Sequence, residues 1–261
     1  MLADTILHHA KIATNAVPTF VEALAIAGGK IVSVGTEQEI FQLRGPKTKL
    51  IDGKGRTVIP GLNDSHMHPI RGGLNYNMEL RWDGVPSLAD ALRMLKHQAA
   101  RTPAPQWVRV VGGWTEFQFA ERRMPTLDEI NAAAPDTPVF VLHLYDRALL
   151  NGAALRALGY DKHAPDFPGG QLECDKRGNP TGLLLAMPNA NILYSTLAKG
   201  PRLSREDQVN SSRLFFRELN RFGITSVVDA GGGFQNYPDD YEVVRELHQN
   251  GQLSVRLAYN L

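Results

Sequence analysis

Cysteine is nearly missing from this sequence. Cys174 is the one thiol among 261 residues, so no disulfide forms within them, and a reducing compartment is the expectation. Cys174 lies in the polar, turn-like stretch Glu173-Cys174-Asp175-Lys176 and reads as incidental rather than as a ligand. Long apolar runs are missing too, as is the basic-then-apolar opening of an export signal; a cytoplasmic location follows as an expectation. Neither sign of charge is in excess: 28 Lys and Arg stand against 27 Asp and Glu, for a net charge of +1. The basic residues are scattered, which gives no footprint for nucleic acid or for an anionic membrane. No Gly-x-Gly-x-x-Gly follows a strand-like run, so a dinucleotide fold has no support. What remains is an ordinary globular composition, 43% hydrophobic and 21% charged, with ample material for a core.

The opening, residues 1–57, reads as β structure. Glu22–Ala27 and Lys30–Gly35 are short strand-like runs joined by Gly28-Gly29, a pair that tolerates the positive φ of a tight hairpin. Thr36-Glu37-Gln38-Glu39 matches a capping box ahead of a short helix. From Val58 onward strand and helix alternate. Strands are expected at Val58–Leu62, Trp107–Val111, Pro138–Leu142, Ile224–Val228 and Leu253–Ala258. Helices are expected after the N-caps Ser87, Thr126 and Ser204, over Ala148–Leu158 with Gly159 as its stop, and near Tyr241–Asn250. This alternation argues for a parallel sheet in an α/β fold without deciding between a doubly wound sheet and a barrel. Residues 159–202, punctuated by Pro165, Pro168-Gly169-Gly170 and Gly178-Asn179-Pro180, interrupt the pattern with a possible hairpin of Gln171–Asp175 and Thr181–Leu185. They read as a lid or pocket wall, or as a decorated surface loop.

Chemistry concentrates at Thr57–Pro69. Here an apolar run leads to His66 and His68, with Asp64 just before them. On an extended segment residues i and i+2 point to one side, so both imidazoles aim at one point, a common start to a divalent-metal site. Two histidines at this spacing are also found as unrelated surface or core residues. Their place at a strand end suits a (β/α)8 barrel, whose chemistry sits at the C-terminal ends of its strands. Three other residues follow strand-like runs. Trp114 reads as an apolar pocket wall. His143 is a candidate ligand, a donor to a substrate carbonyl or a core histidine. Asp229 either serves the site or caps the following segment, Gly231-Gly232-Gly233. Asp146 and Arg147 are adjacent and read as a pair or as helix caps.

Pro60-Gly61-Leu62-Asn63-Asp64-Ser65-His66-Met67-His68 resembles the first barrel strand of the amidohydrolase superfamily. Leu50–Val58 is similar to the lead-in of those proteins. The phrases Val111–Trp114, Leu142–Asn151 and Gly178–Leu184 resemble the YtcJ-like metal-dependent amidohydrolases, a branch that includes N-substituted formamide deformylases. The resemblance implies part of a (β/α)8 TIM-like metal-dependent hydrolase barrel over 58–261, preceded by part of a small β-sandwich over 1–57. It implies a divalent metal, zinc being the expected ion, with one or two ions held in part by His66 and His68. It implies hydrolysis of a non-peptide C–N bond in a small molecule; Trp114, His143 and Asp229, by their places after strand-like runs, are the candidates for the substrate pocket.

The same resemblance implies histidines at later strand ends and an aspartate base after the last strand. None is recognisable after Val228, because His248 falls in an expected helix. The site is therefore expected to be incomplete, and a homo-oligomer or a missing C-terminal half would have to supply the rest. Two rival readings follow: an inactive fragment of such an enzyme, or a metal- or ligand-binding module without turnover. Relatives often carry a lysine where Met187 stands, and methionine cannot bridge two metals; the alternative for Met187 is a plain apolar contact.

Overall fold

In the computed structural model the described residues are 1–164, 167, 169–231 and 236–260, and they fall into two units, Met1–Asn63 and Asp64–Leu261. The first unit holds two sheets. In one, Lys30–Gly35, Ala23–Ala27, Ala3–His8 and Arg44–Asp52 lie in that order, and in the other Phe20–Val21, Lys11–Ala13 and Thr57–Val58. The expected hairpin forms, with Gly28 and Gly29 at φ +56 and +75. Thr36 and Glu39 close the expected capping box at the start of the helix Glu37–Phe41. Ile6, Ala23, Ala25 and Ile40 fill the space beneath. Thr57–Val58 pairs with Lys11–Ala13, which is why the first unit runs past residue 57.

The second unit contains a six-stranded sheet, ordered Gly170–Cys174, Pro180–Ala186, Arg147–Leu150, Val139–His143, Val108–Val110, Glu79–Leu80. The last three strands are parallel. Val108, Val110, Val139 and Val141 are buried on one face among residues of the helices Leu88–Ala99 and Leu127–Ala133. Phe140, Leu142, Ala148 and Leu150 are buried on the other, against Gly152–Leu158 and Asn191–Ala198. Burial on both faces explains the continuous apolar runs of these strands. A three-stranded sheet orders Arg256–Tyr259, Ile224–Asp229 and Leu62–Met67. Its core joins Ile70, Phe216, Leu219, Val227 and Leu247, from the helices Pro69–Leu74, Arg205–Arg221 and Glu242–Gln249. The described residues make a mixed α/β fold and do not form a closed barrel. No helix among them is long and apolar enough to cross a membrane.

Two expectations shift, and a third holds. The strand expected over Val58–Leu62 is instead Leu62–Met67; Pro60, with no N–H to give a ladder, stands in the break after Val58. Ala148–Leu150 belong to a strand, and the helix begins only at Gly152. Ala and Leu favour a helix, but here pairing on both sides, to Val139–His143 and to Pro180–Ala186, outweighs propensity. The hairpin of the 159–202 segment exists and extends the sheet edge through Gly170–Cys174; Pro165 and Pro168 lie outside the described residues.

The joint between strand and helix is held by one buried side chain. Asn151 Oδ1 accepts from the Val139 and Ala154 amides at 2.9 Å each, while Nδ2 donates to the carbonyls of Ala134 at 2.7 Å and Thr137 at 2.9 Å. Asn151→Ala removes the partner of all four backbone groups at a fully buried position and is expected to cost about 3–5 kcal/mol. Ser204→Ala, which removes one exposed cap of Arg205–Arg221, is expected to cost only about 1 kcal/mol. Denaturant midpoints of the two variants measure the contrast, and similar losses would refute it.

Candidate metal and substrate site

Leu62–Met67 carries His66 near its end and passes straight to His68, which precedes the helix Pro69–Leu74. The two imidazoles lie 5.7 Å apart between centroids, edge to face at 81°. Asp64 Oδ1 accepts from the His66 amide at 3.0 Å, so the carboxylate before the pair shapes the backbone there. His68 is half-buried, and its Nδ1 stands 2.6 Å from the Gly231 carbonyl oxygen. A carbonyl oxygen only accepts, so Nδ1 carries the proton and the lone pair of the neutral ring lies on Nε2. A backbone acceptor on the far nitrogen is how ligating histidines are oriented. The Ala230 amide, donating to Met67 O at 2.8 Å, ties the same two strand ends together. His66 and His68 thus fit two positions of a divalent-metal centre. Among the described residues, no group of three or more His, Cys, Asp and Glu side chains is placed to hold an ion.

His68 opens on a cavity of about 430 Å³ whose walls include Arg71, Glu79, Arg109, Tyr145 and Tyr194. Glu79 and Arg109 are register neighbours on adjacent parallel strands, so both side chains leave one face of the sheet. Burial pushes the Glu79 carboxyl up to about 7, against the pull of Arg81 and Arg109; Arg81 Nη2 donates to Glu79 Oε2 at 2.8 Å. Burial likewise draws the Arg109 guanidinium below its ordinary value, with Glu79 opposing. Burial, together with Tyr145, pushes the Tyr194 phenol up to about 12. Tyr194 and Leu197 come from the 159–202 segment, so that segment does furnish cavity wall.

The three other candidates lie elsewhere. Trp114 is fully buried in the core, packed on Trp82 and Phe119, with Nε1 donating to Leu142 O at 2.8 Å. His143 is buried with Nε2 2.5 Å from Glu116 Oε2 and Nδ1 2.7 Å from Asp146 Oδ1. Its neighbours Leu142 and Leu144, not its own ring, line the cavity. Partial burial raises the Asp146 carboxyl, but the His143 hydrogen bond and the Arg147 charge outweigh it and hold that group below its ordinary value. Asp146 and Arg147 pair as expected, Nε to Oδ2 at 3.0 Å. Asp229 is fully buried and accepts from the Tyr241 hydroxyl at 3.0 Å. Gly232 and Gly233 lie outside the described residues. Met187 is exposed, so it is not a packed apolar contact. Sequence reasoning missed Glu79 and Arg109. Their signal was a charge inside an apolar run, in Met78-Glu79-Leu80 and Val108-Arg109-Val110.

Comparison with known proteins settles the lineage. The model of the amidohydrolase family matches residues 49–260. This chain belongs to that family. It is 31% identical over 214 residues to the N-substituted formamide deformylase of Arthrobacter pascens, covering 80% of this chain and 39% of the deformylase. It is 32% identical over 165 residues to the YtcJ amidohydrolase of Bacillus subtilis (strain 168), covering 62% of this chain and 31% of YtcJ. The chain therefore spans well under half the length of either relative. An uncharacterized metal-dependent hydrolase from Pyrococcus horikoshii superposes with a TM-score of 0.64 at 22% identity, over 98% of this chain and 48% of that one. At such identity the likeness is one of fold. The resemblance carried by the His66–His68 stretch and its companion phrases is borne out.

The buried carboxyl sets a pH dependence. Between the ordinary carboxylate range and pH about 7, folded Glu79 holds a proton that the unfolded chain releases. Its stabilisation is complete at the acid end and is lost as pH rises through about 7, a swing on the order of 3 kcal/mol. Glu79→Gln stays neutral throughout, so the wild type should lose stability relative to the variant between pH ~5 and ~7.5. Urea midpoints that run parallel for the two proteins across that range would refute the assignment.

Proposed function

We propose that this chain carries the opening part of a (β/α)8 metal-dependent hydrolase that acts on a non-peptide C–N bond of a small molecule, such as an N-substituted formamide or a cyclic amide. One observation carries the reading: His68 is pinned through Nδ1 to the Gly231 carbonyl, so that Nε2 is left to act beside His66 at a strand end that opens on a cavity. His66 and His68 would hold a divalent ion, with zinc the expected one. When bound, such an ion supplies Lewis acidity toward a carbonyl and lowers the pKa of water. The protein's own groups have narrower tasks. Gly231 O keeps the His68 ring in one tautomer and orientation. Leu142, Leu144 and Leu197 make the adjoining wall apolar, and Tyr145 and Tyr194 offer hydroxyls to a polar substrate group.

A second reading is supported by the ligand count. Hydrolytic centres commonly take three or more protein ligands, and the described residues bring two together. On this reading the chain by itself binds metal weakly and turns over nothing. The deformylase match, which covers 39% of that relative, supports placing the remaining ligands and the base in a part of such a hydrolase that this chain does not span.

Elemental analysis of the purified protein, beside the His66→Ala/His68→Ala double variant, tests both readings. About one zinc per chain, lost in the double variant, with hydrolysis of an N-substituted formamide, is the result expected of a working centre. Zinc bound without turnover selects the second reading. Equal metal content in wild type and double variant would remove His66 and His68 from the metal centre.

A further inference from the structure

The cavity beside His68 carries more positive than negative charge. Three guanidiniums stand in or against it. Arg71 and Arg109 line it directly, and Arg81 reaches Glu79 at 2.8 Å. The opposing carboxylates are Glu79 and Asp83. Asp83 lies beside Gly112 and Gly113, where added Cβ atoms would come within 3.5 and 3.4 Å of its oxygens, and Arg81 Nη1 would be 3.1 Å from that of Gly112. Arg81 is thus paired with Glu79. Arg109 is only 8% exposed; one of its donors goes to the Pro201 carbonyl at 2.9 Å, and its acidic neighbour Glu79 is half-protonated near neutrality. Among the described residues no carboxylate pairs with Arg71, whose guanidinium lies 4.8 Å from the Tyr194 ring centroid. A second recess of about 120 Å³ shares Arg71, Arg109 and Tyr194. The acid there, Asp240, stands 4.0 Å from Arg202. A guanidinium withdrawn from water without a full counter-charge is costly, and an incoming anion removes that cost. The fork of N–H donors on arginine matches a carboxylate.

We propose that this cavity is an anion subsite, in which Arg71 and Arg109 receive the carboxylate of a small substrate whose apolar body lies against Leu142, Leu144 and Leu197. The inference deepens the hydrolase reading by naming the substrate class. It rests on that reading only for the position of the scissile bond near His66 and His68, and not for the anion itself. Arg71 is the residue that selects. It sits one turn beyond His68 on the helix Pro69–Leu74, so an anion held there keeps its remaining atoms within reach of the histidines. The Tyr194 ring beneath the guanidinium holds it in place by cation–π attraction.

The test is calorimetric titration of the whole chain with phenylacetate and with phenylacetamide, its neutral isostere, before and after Arg71→Gln. The carboxylate is expected to bind at least about tenfold more tightly than the amide, and Arg71→Gln should abolish that preference. Arg71→Lys, which keeps the charge but not the fork, should retain part of it. Matching thermal midpoints establish that the variants are folded, as the half-exposed position of Arg71 leads one to expect. Equal affinity for acid and amide, binding of neither, or a preference that survives in Arg71→Gln would each overturn the subsite. Zinc content separates the two claims. Zinc content equal in the wild type and the His66→Ala/His68→Ala variant, with an intact preference, sinks the metal-centre reading alone, and zinc lost in that variant with no preference sinks the anion subsite alone.

Discussion

The site depends on a close approach between two helices. Pro69–Leu74, the short helix that follows His68, lies on the long helix Arg205–Arg221, where Ser211 Oγ donates to Gly73 O at 2.7 Å. A Cβ on Gly73 would come within 2.9 Å of Ser212 Oγ, so no larger residue reaches this depth without moving one helix. Ser211 Oγ also accepts from the Asn77 amide at 3.2 Å, which fixes the exit from the short helix. Three features follow from this seating. The level of His68 is set against the strand that offers Gly231 O. Arg71 is turned toward Tyr194. Ile70 and Leu74 are buried with Phe216 and Leu219 in one cluster. The chemistry-bearing side chains are therefore positioned by a backbone contact that has no chemistry of its own.

Electrostatics then divides the labour between two buried networks. Around His143, Glu116 and Asp146 face the two ring nitrogens, and Arg147 reaches both acids, at 3.4 and 3.0 Å. This network holds the turn that displays Leu144 and Tyr145. Arg109 and Glu79 lie instead on the cavity wall. That difference in access to the cavity is the physical reason for locating recognition at Arg71 and Arg109 rather than at the histidine that the sequence brought forward.

Local signals were legible. The hairpin at Gly28-Gly29 and the caps at Thr36, Thr126 and Ser204 are written in neighbouring residues, and the structure honours them. What was not legible depends on partners far along the chain. Nothing near Trp114 reveals that its indole points to Leu142 O, 28 residues away, and Asp229 gives no sign of Tyr241. Ala148–Leu150 read as helix because a strand's partners, here Val139–His143 and Pro180–Ala186, are invisible in its own composition. Glu79 and Arg109 were overlooked because each is a lone charge, and only strand register makes them neighbours.

The solitary thiol gains a use from its position. Cys174 is exposed at the end of the strand Gly170–Cys174, on the same inserted segment whose helix Asn191–Ala198 brings Tyr194 and Leu197 to the cavity. With no other sulfhydryl in these 261 residues, a maleimide dye or spin label goes to one defined atom without any cysteine first being removed. The segment thereby carries its own built-in reporter, one that follows this wall of the cavity from outside while leaving every residue of the site untouched.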